Sequence, residues 1–285
     1  MSADAGISPK AEASGHSRTD DGAQPKNTPA ASEDAEKLRA LAMFCAEELE
    51  KLYPDARCSL DYGGDPWRLL VMARLSAQCT DERVNIVCRE LFARFGTAAE
   101  MAEAPLSEIE DVVRPCGLFR MKASSIKAMS EKLVREYGGE IPCNIDELLS
   151  FPGVGRKIAN LVLGDVYGLG GIVADTHFMR ICGKIGFYEE GLRDPARVER
   201  IMDPLIPRDM QSDFCHRAVL FGRDICKARG CECDRCPLAG RCREGLKREK
   251  DDRASAQDER EMTHPARRKP DGGTTESRTE SPMRR

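Results

Sequence analysis

Apolar residues in this chain recur every three to four positions over most of its length, while the strict alternation of a half-buried strand is scarce. That period points to an all-α protein of about nine or ten helices. Leu38, Leu41, Cys45, Leu49 and Leu52 share one face of a first helix that ends before Pro54. Asp65-Pro66 supplies an N-cap and a proline at the first helical position, opening a helix over Trp67–Ala77. The pattern repeats over Val84–Phe95 and stops at Gly96. It is brief over Ile109–Val113 and returns over Ala123–Tyr137, where Gly138-Gly139 ends it. Asn144 and Glu147 stand in capping-box spacing at the head of Asn144–Ser150. Further helices fit Lys157–Val166, Thr176–Cys182, Pro195–Met202 and Asp213–Arg223.

Both ends of the chain differ from this core. Residues 1–35 and 247–285 contain no Phe, Tyr or Trp, and the second stretch is dense in charge. Neither buries enough apolar surface to offset the entropy of ordering, so both are expected to be disordered tails. The net charge of −4 leaves the core acidic rather than basic. Any affinity for a polyanion must therefore come from a local patch or from backbone amides. No run approaches the roughly 18–20 apolar residues that span a bilayer, and Met1 to Asp20 lacks the apolar segment of a secretory signal. Thirteen cysteines in such a chain point to a reducing, cytoplasmic setting, where they serve metal binding, catalysis or burial.

The most informative stretch is Leu149–Asn160, where a short helix meets Pro-Gly-Val-Gly and a second helix begins with Arg156-Lys157. Gly153 and Gly155 are expected to take positive φ and to let a partner approach the backbone closely. The amides at the second helix start would face a phosphate with the positive end of the dipole behind them. Lys157 in that first turn is unfavourable against the dipole. The same field, with partial burial, would help it present a neutral amine. A surface or phosphate-binding lysine is the plainer alternative. Further on, Ile172-Val173-Ala174 delivers Asp175 to another helix start, followed by Thr176-His177. Asp175 is expected to cap that helix. Near Lys157, its carboxylate could also steady a developing cation.

The core closes on Cys226-(six)-Cys233-(two)-Cys236-(five)-Cys242. Four thiolates so spaced form a metal or cluster site. Spacing alone does not separate one zinc ion from an iron–sulfur cluster, and Cys231 could compete as a ligand.

Leu-Ser-Ala-Gln-Cys-Thr-Asp around Gln78, the Leu149–Asn160 hairpin, Val-Ala-Asp-Thr-His and the four-cysteine spacing occur in order over about residues 36–246. Together they resemble the endonuclease III family of helix–hairpin–helix DNA glycosylases. The resemblance implies two helical domains with a DNA cleft between them. A six-helix barrel domain over 59–169 would contain the hairpin at about 144–166, and a cluster domain would combine 36–58 with 170–246. It implies a [4Fe–4S] cluster on Cys226, Cys233, Cys236 and Cys242, with Lys227 and Arg229 in the loop between the first two ligands meeting DNA phosphates. Gln78 and Leu118 would fill the gap left by an extruded nucleotide, and His177 would lie near the flipped base. Gly153, Gly155 and Arg156 would line the hairpin against the DNA backbone. Double-stranded DNA with damaged or missing bases is the implied substrate of a monomeric enzyme. Lys157 would act as nucleophile at the sugar C1′ and Asp175 as its supporting carboxylate. A glycosylase without lyase activity and a non-catalytic damage-binding module are the alternatives.

Overall fold

The computed structural model describes residues 29–263 of the 285. These residues form twelve α-helices and three short 3₁₀ turns, with no strand among them. The expected all-α class is observed. The helices are α1 (Pro29–Leu52), α2 (Pro66–Leu75), α3 (Asp81–Arg94), α4 (Ala98–Glu103), α5 (Leu106–Val113), α6 (Phe119–Tyr137), α7 (Ile145–Leu149), α8 (Arg156–Tyr167), α9 (Thr176–Ile185), α10 (Pro195–Met202), α11 (Arg208–Asp224) and α12 (Arg243–Thr263).

α2 is the central helix, with all but Arg68 and Arg74 among its residues after Pro66 buried. It starts where Asp65-Pro66 dictates, since the Asp65 carboxylate accepts from the amides of Trp67 at 2.9 Å and Arg68 at 3.2 Å. The Trp67 indole donates to Ser130 Oγ at 3.0 Å, which satisfies its one polar atom inside the core. Around α2 pack α3, α6 and α8, with α4 and α5 against α6 and α7 against α8. A second group gathers α1, α9 and α12 around α11 and its neighbours, and α11 also touches α8. In that group Phe178 meets Phe214 edge to face, centroids 6.0 Å apart, anchoring the start of α9 on α11.

Helix ends follow the cap chemistry more closely than the apolar period. Asn144 caps α7 by accepting from the amides of Asp146 and Glu147. The reciprocal capping box forms instead at Thr97–Glu100, at the head of α4. That six-residue helix is too short to declare a period of its own.

Order reaches further at both ends than composition suggests. α1 begins at Pro29, so residues 29–35 are helical where a disordered tail was expected. α12 continues through Lys247 to Thr263, again into a segment expected to be disordered. An exposed helix needs no core of its own. This one grows from a root packed on α9 and carries i,i+4 pairs Arg248–Glu244 at 2.9 Å and Arg253–Glu249 at 2.5 Å. The rest of both expected tails, 1–28 and 264–285, lies outside the described residues. Among the described residues no helix is long and apolar enough to cross a membrane.

Candidate active site

Between the two helix groups runs a groove of about 630 Å³. Lys157, Asp175, Gln78, Gly153 and Gly155 all line it. The chain brings amine and carboxylate together through two helix starts that are tied to each other. Lys157 is the second residue of α8, and Asp175 caps α9 by accepting from the Phe178 amide at 2.8 Å. Asn160, one turn after Lys157, donates from Nδ2 to the Ile172 carbonyl at 2.9 Å, three residues before Asp175. The intervening segment is pinned further by Gly171 N–H to Gln211 Oε1 at 2.8 Å and Val173 N–H to Cys215 Sγ at 3.3 Å. Gln211 and Asn160 are both buried, so neither bond competes with water.

The hairpin departs from expectation at one glycine. Gly153 has φ +78°, and a Cβ there would stand 2.5 Å from Arg74 Nε and 3.0 Å from Ser125 Oγ. Gly155 is extended, at φ −105° and ψ 176°, with no atom within 4 Å of where a Cβ would lie. It spares room rather than conformation, because the bare backbone before α8 leaves the helix start open to a ligand. Gly155 offers no side-chain cap to that start. Gly153→Ala combines a left-handed alanine with a clash on Arg74, at a cost of about 2 kcal/mol. A fall in thermal midpoint of about 4–8 °C is expected, measured by circular dichroism.

Lys157 is exposed, so the partial burial expected of it is absent in the free protein. Desolvation would have to come from whatever fills the groove. Its neighbour Arg156 is already engaged. Its Nε and a terminal nitrogen meet Glu199 on α10 at 2.8 and 2.5 Å. Those bonds raise the Arg156 pKa, and they hold the Glu199 carboxyl below its ordinary range although burial alone would raise it. Arg156 thus braces the head of α8 against α10.

Gln78 and Leu118 share an unusual property. Among the described residues they alone, glycines apart, have positive φ, at 55° and 46°. Such positions are strained for residues with a Cβ and persist only where surrounding structure enforces them. Leu118 is 51 % exposed at the head of α6 and outside the lining of the groove. The turn before it is held by Lys122, buried to 1 % exposure, whose Nζ donates to the Cys116 carbonyl at 2.8 Å. Burial lowers the pKa of this lysine. It does not line the groove, and its role is to brace the turn.

His177 is not brought into the groove lining. It packs on α11, where a Cβ on Gly222 would come within 2.9 Å of its Nδ1, and that nitrogen is buried without a partner. Burial, with Arg180 and Arg223 adding, keeps its imidazole below the ordinary value against the pull of Asp175 and Asp81. Lys227 pairs with Glu232 at 2.6 Å, while Arg229 is exposed with no ion-pair partner among the described residues.

Cys226, Cys233, Cys236 and Cys242 line one small cavity walled by Phe221, Ile225 and Leu238, and Cys231 joins them. Cys231 Sγ lies 3.7 Å from Cys233 Sγ. As arranged, no three His, Cys, Asp or Glu side chains among the described residues gather tightly enough to hold a single metal ion. Burial raises the pKa of the Cys226 and Cys236 thiols and pushes Cys233 up to about 12. A set of thiolates here therefore calls for compensating cationic charge at its centre.

Sequence reasoning missed Glu199, Lys122 and a half-buried carboxylate–imidazole pair, Asp165 and His216, whose His216 Nε2 and Asp165 Oδ1 are 2.8 Å apart. None lies in a motif, and only packing of distant helices reveals them.

The family model for the HhH-GPD superfamily of base excision DNA repair proteins matches residues 71–208. Endonuclease III of Bacillus subtilis (strain 168) is 37% identical over 209 residues, covering 73% of this chain and 94% of the relative. Endonuclease III of Synechocystis sp. is 44% identical over 195 residues, covering 68% and 88%. A solved endonuclease III in non-covalent complex with DNA superposes with a TM-score of 0.69 at 39% identity, covering 74% of this chain and 98% of that one. A thermostable thymine-DNA glycosylase shares the fold, with a TM-score of 0.67 at 22% identity. With the hairpin, the Lys157–Asp175 groove and the four-cysteine cavity in place, these likenesses establish that the chain belongs to the endonuclease III family.

Proposed function

We propose that this protein is a base-excision repair enzyme, a DNA glycosylase that removes oxidised pyrimidines and cuts the resulting abasic site by β-elimination. The observation that carries this reading is the convergence of the Lys157 amine and the Asp175 carboxylate, each at a helix start, on a single groove. Damaged duplex DNA lies in the cleft between a barrel domain over about 59–169 and a cluster domain built from about 36–58 and 170–246. The base is extruded at a cost smallest for lesions that stack badly. The open amides before and within the first turn of α8 take a backbone phosphate, which a net acidic protein needs. Gln78 and Leu118 occupy the space that the nucleotide leaves, and Arg229 meets a phosphate nearby.

The chemistry divides between the two site residues. The Lys157 amine attacks C1′ as the base departs, and Asp175 steadies the cationic sugar. One Asp175 oxygen is held by the α9 cap, which fixes the other with respect to the groove. The imine that forms acidifies C2′, and elimination releases the 3′ phosphate.

The cysteine cavity supports a [4Fe–4S] cluster on Cys226, Cys233, Cys236 and Cys242. Zn–S bonds of about 2.3 Å would draw four sulfurs to within about 3.8 Å of one another. Thiols spread around a cavity, rather than gathered at one point, suit a larger group. Bound there, the cluster supplies a four-thiolate cross-link that closes the segment between α11 and α12. The protein works as a cytoplasmic monomer without a membrane partner.

The purified full-length holoprotein, given duplex oligonucleotides with thymine glycol or an abasic site, is expected to nick both. It is also expected to yield a borohydride-trapped covalent adduct. Base release without nicking would assign the glycosylase-only alternative, and tight binding without either product would overturn the enzyme reading.

A further inference from the structure

His216 belongs to α11 and stands in the wall between the Lys157 groove and a neighbouring cleft of about 790 Å³, lining both. Its Nε2 lies 2.8 Å from Asp165 Oδ1, and Ser212 Oγ donates to the same oxygen at 2.6 Å. The Asp165 side chain is 6 % exposed, and its Oδ2 is buried with no partner among the described residues. Asp165 and Ser212 approach this closely because residue 164 is glycine. A Cβ there would stand 2.9 Å from Ser212 Oγ. Burial alone would raise the Asp165 carboxyl, yet bonds from His216 and Ser212 hold it below its ordinary range. The carboxylate is therefore an acceptor only, and it requires the proton of the ring to sit on Nε2.

From this geometry we propose that His216 is a catalytic base of the elimination step, its Nδ1 taking the C2′ proton of the Lys157-bound sugar, with Asp165 as its positioning residue. The inference rests on the lyase reading above. With Nε2 protonated against Asp165, Nδ1 carries the lone pair of the neutral ring. Proton transfer from C2′ to Nδ1 sends the C–H electron pair into a C1′–C2′ double bond, and the imine electrons move to the Lys157 nitrogen. That pair then returns, a C2′–C3′ double bond forms, and the C3′–O bond breaks with its electrons leaving on the phosphate. The imidazolium formed meets the Asp165 carboxylate, whose Oδ1 already accepts from the ring and from Ser212. Besides Asp165, the charged groups lining the two clefts are Asp61, Arg208, Asp209 and Asp213 on the outer side, Arg74, Asp81, Lys157, Asp175 and Arg223 on the groove side, and Arg57 on both.

His216→Ala is expected to keep the borohydride-trapped adduct, because attack by Lys157 precedes the step, while elimination slows by about 100-fold. The acid-side limb of the wild-type elimination rate should vanish, and added imidazole should restore cutting in this variant but not in Lys157→Ala. Asp165→Asn, which leaves the amide to bond the ring in place of the carboxylate, should show the same defect more mildly. Elimination at the wild-type rate, an unchanged pH profile, or equal loss of trapping and cutting would overturn the proposal. A wild-type protein that forms no adduct at all would instead overturn the lyase reading itself.

Discussion

Lys157→Ala is expected to remove strand cleavage at abasic sites by about 10⁴-fold or more, together with all borohydride trapping. Among the described residues no other amine lines the groove. Lys122 is buried against the Cys116 carbonyl and does not line the groove. The variant should fold as well as the parent. Lys157 is exposed, makes no ion pair among the described residues, and stands in a first helical turn where its charge opposes the dipole. A gel assay on an abasic duplex, run beside a melting curve, checks both halves. A variant that still nicks would show that some other group attacks the sugar. One that melts early would assign Lys157 a structural part that its surroundings give no reason for.

The second large effect is expected at Asp175, where two roles must be separated. Asparagine caps a helix as well as aspartate does, so Asp175→Asn keeps the bond to the Phe178 amide and the start of α9. What it loses is the charge. Without a carboxylate to oppose the developing cation, base removal should slow by about 10²–10³-fold, with little change in melting temperature. Single-turnover release of thymine glycol measures the loss. If Asp175→Asn keeps full activity while Asp175→Ala fails and melts early, the residue only caps, and the mechanism needs another source of charge stabilisation.

Much of the fold was legible because caps and punctuation are local. Asp65-Pro66, Asn144 and Asp175 start their helices, and Gly138 ends its own, where their chemistry says they must. α4 was invisible because six residues cannot display a 3.6-residue period. α12 was misjudged because low hydrophobicity argues against a core, not against an exposed helix laced by i,i+4 pairs. The site divides in the same way. Lys157 and Asp175 lie in contiguous motifs, and the fold sets both on one groove. The brace between Arg156 and Glu199 joins positions 43 residues apart, and the bond between Asp165 and His216 joins positions 51 apart. No local pattern carries such pairings. His177, two positions after Asp175 in the chain, illustrates the converse. A helix turns each residue by about 100° from the last, so a neighbour in sequence can face another wall.

The left-handed backbone at Gln78 and Leu118 bears on how such an enzyme would search a genome. Holding two side-chain-bearing residues in that region costs on the order of 1–3 kcal/mol each, and the free protein has already met that cost in folding. If these two residues enter a base stack as proposed, little backbone entropy would be left to lose, and the rate of interrogation would be governed by how readily the duplex opens. Weakly stacked sites would then open first, and a backbone already set in place would meet them without further rearrangement.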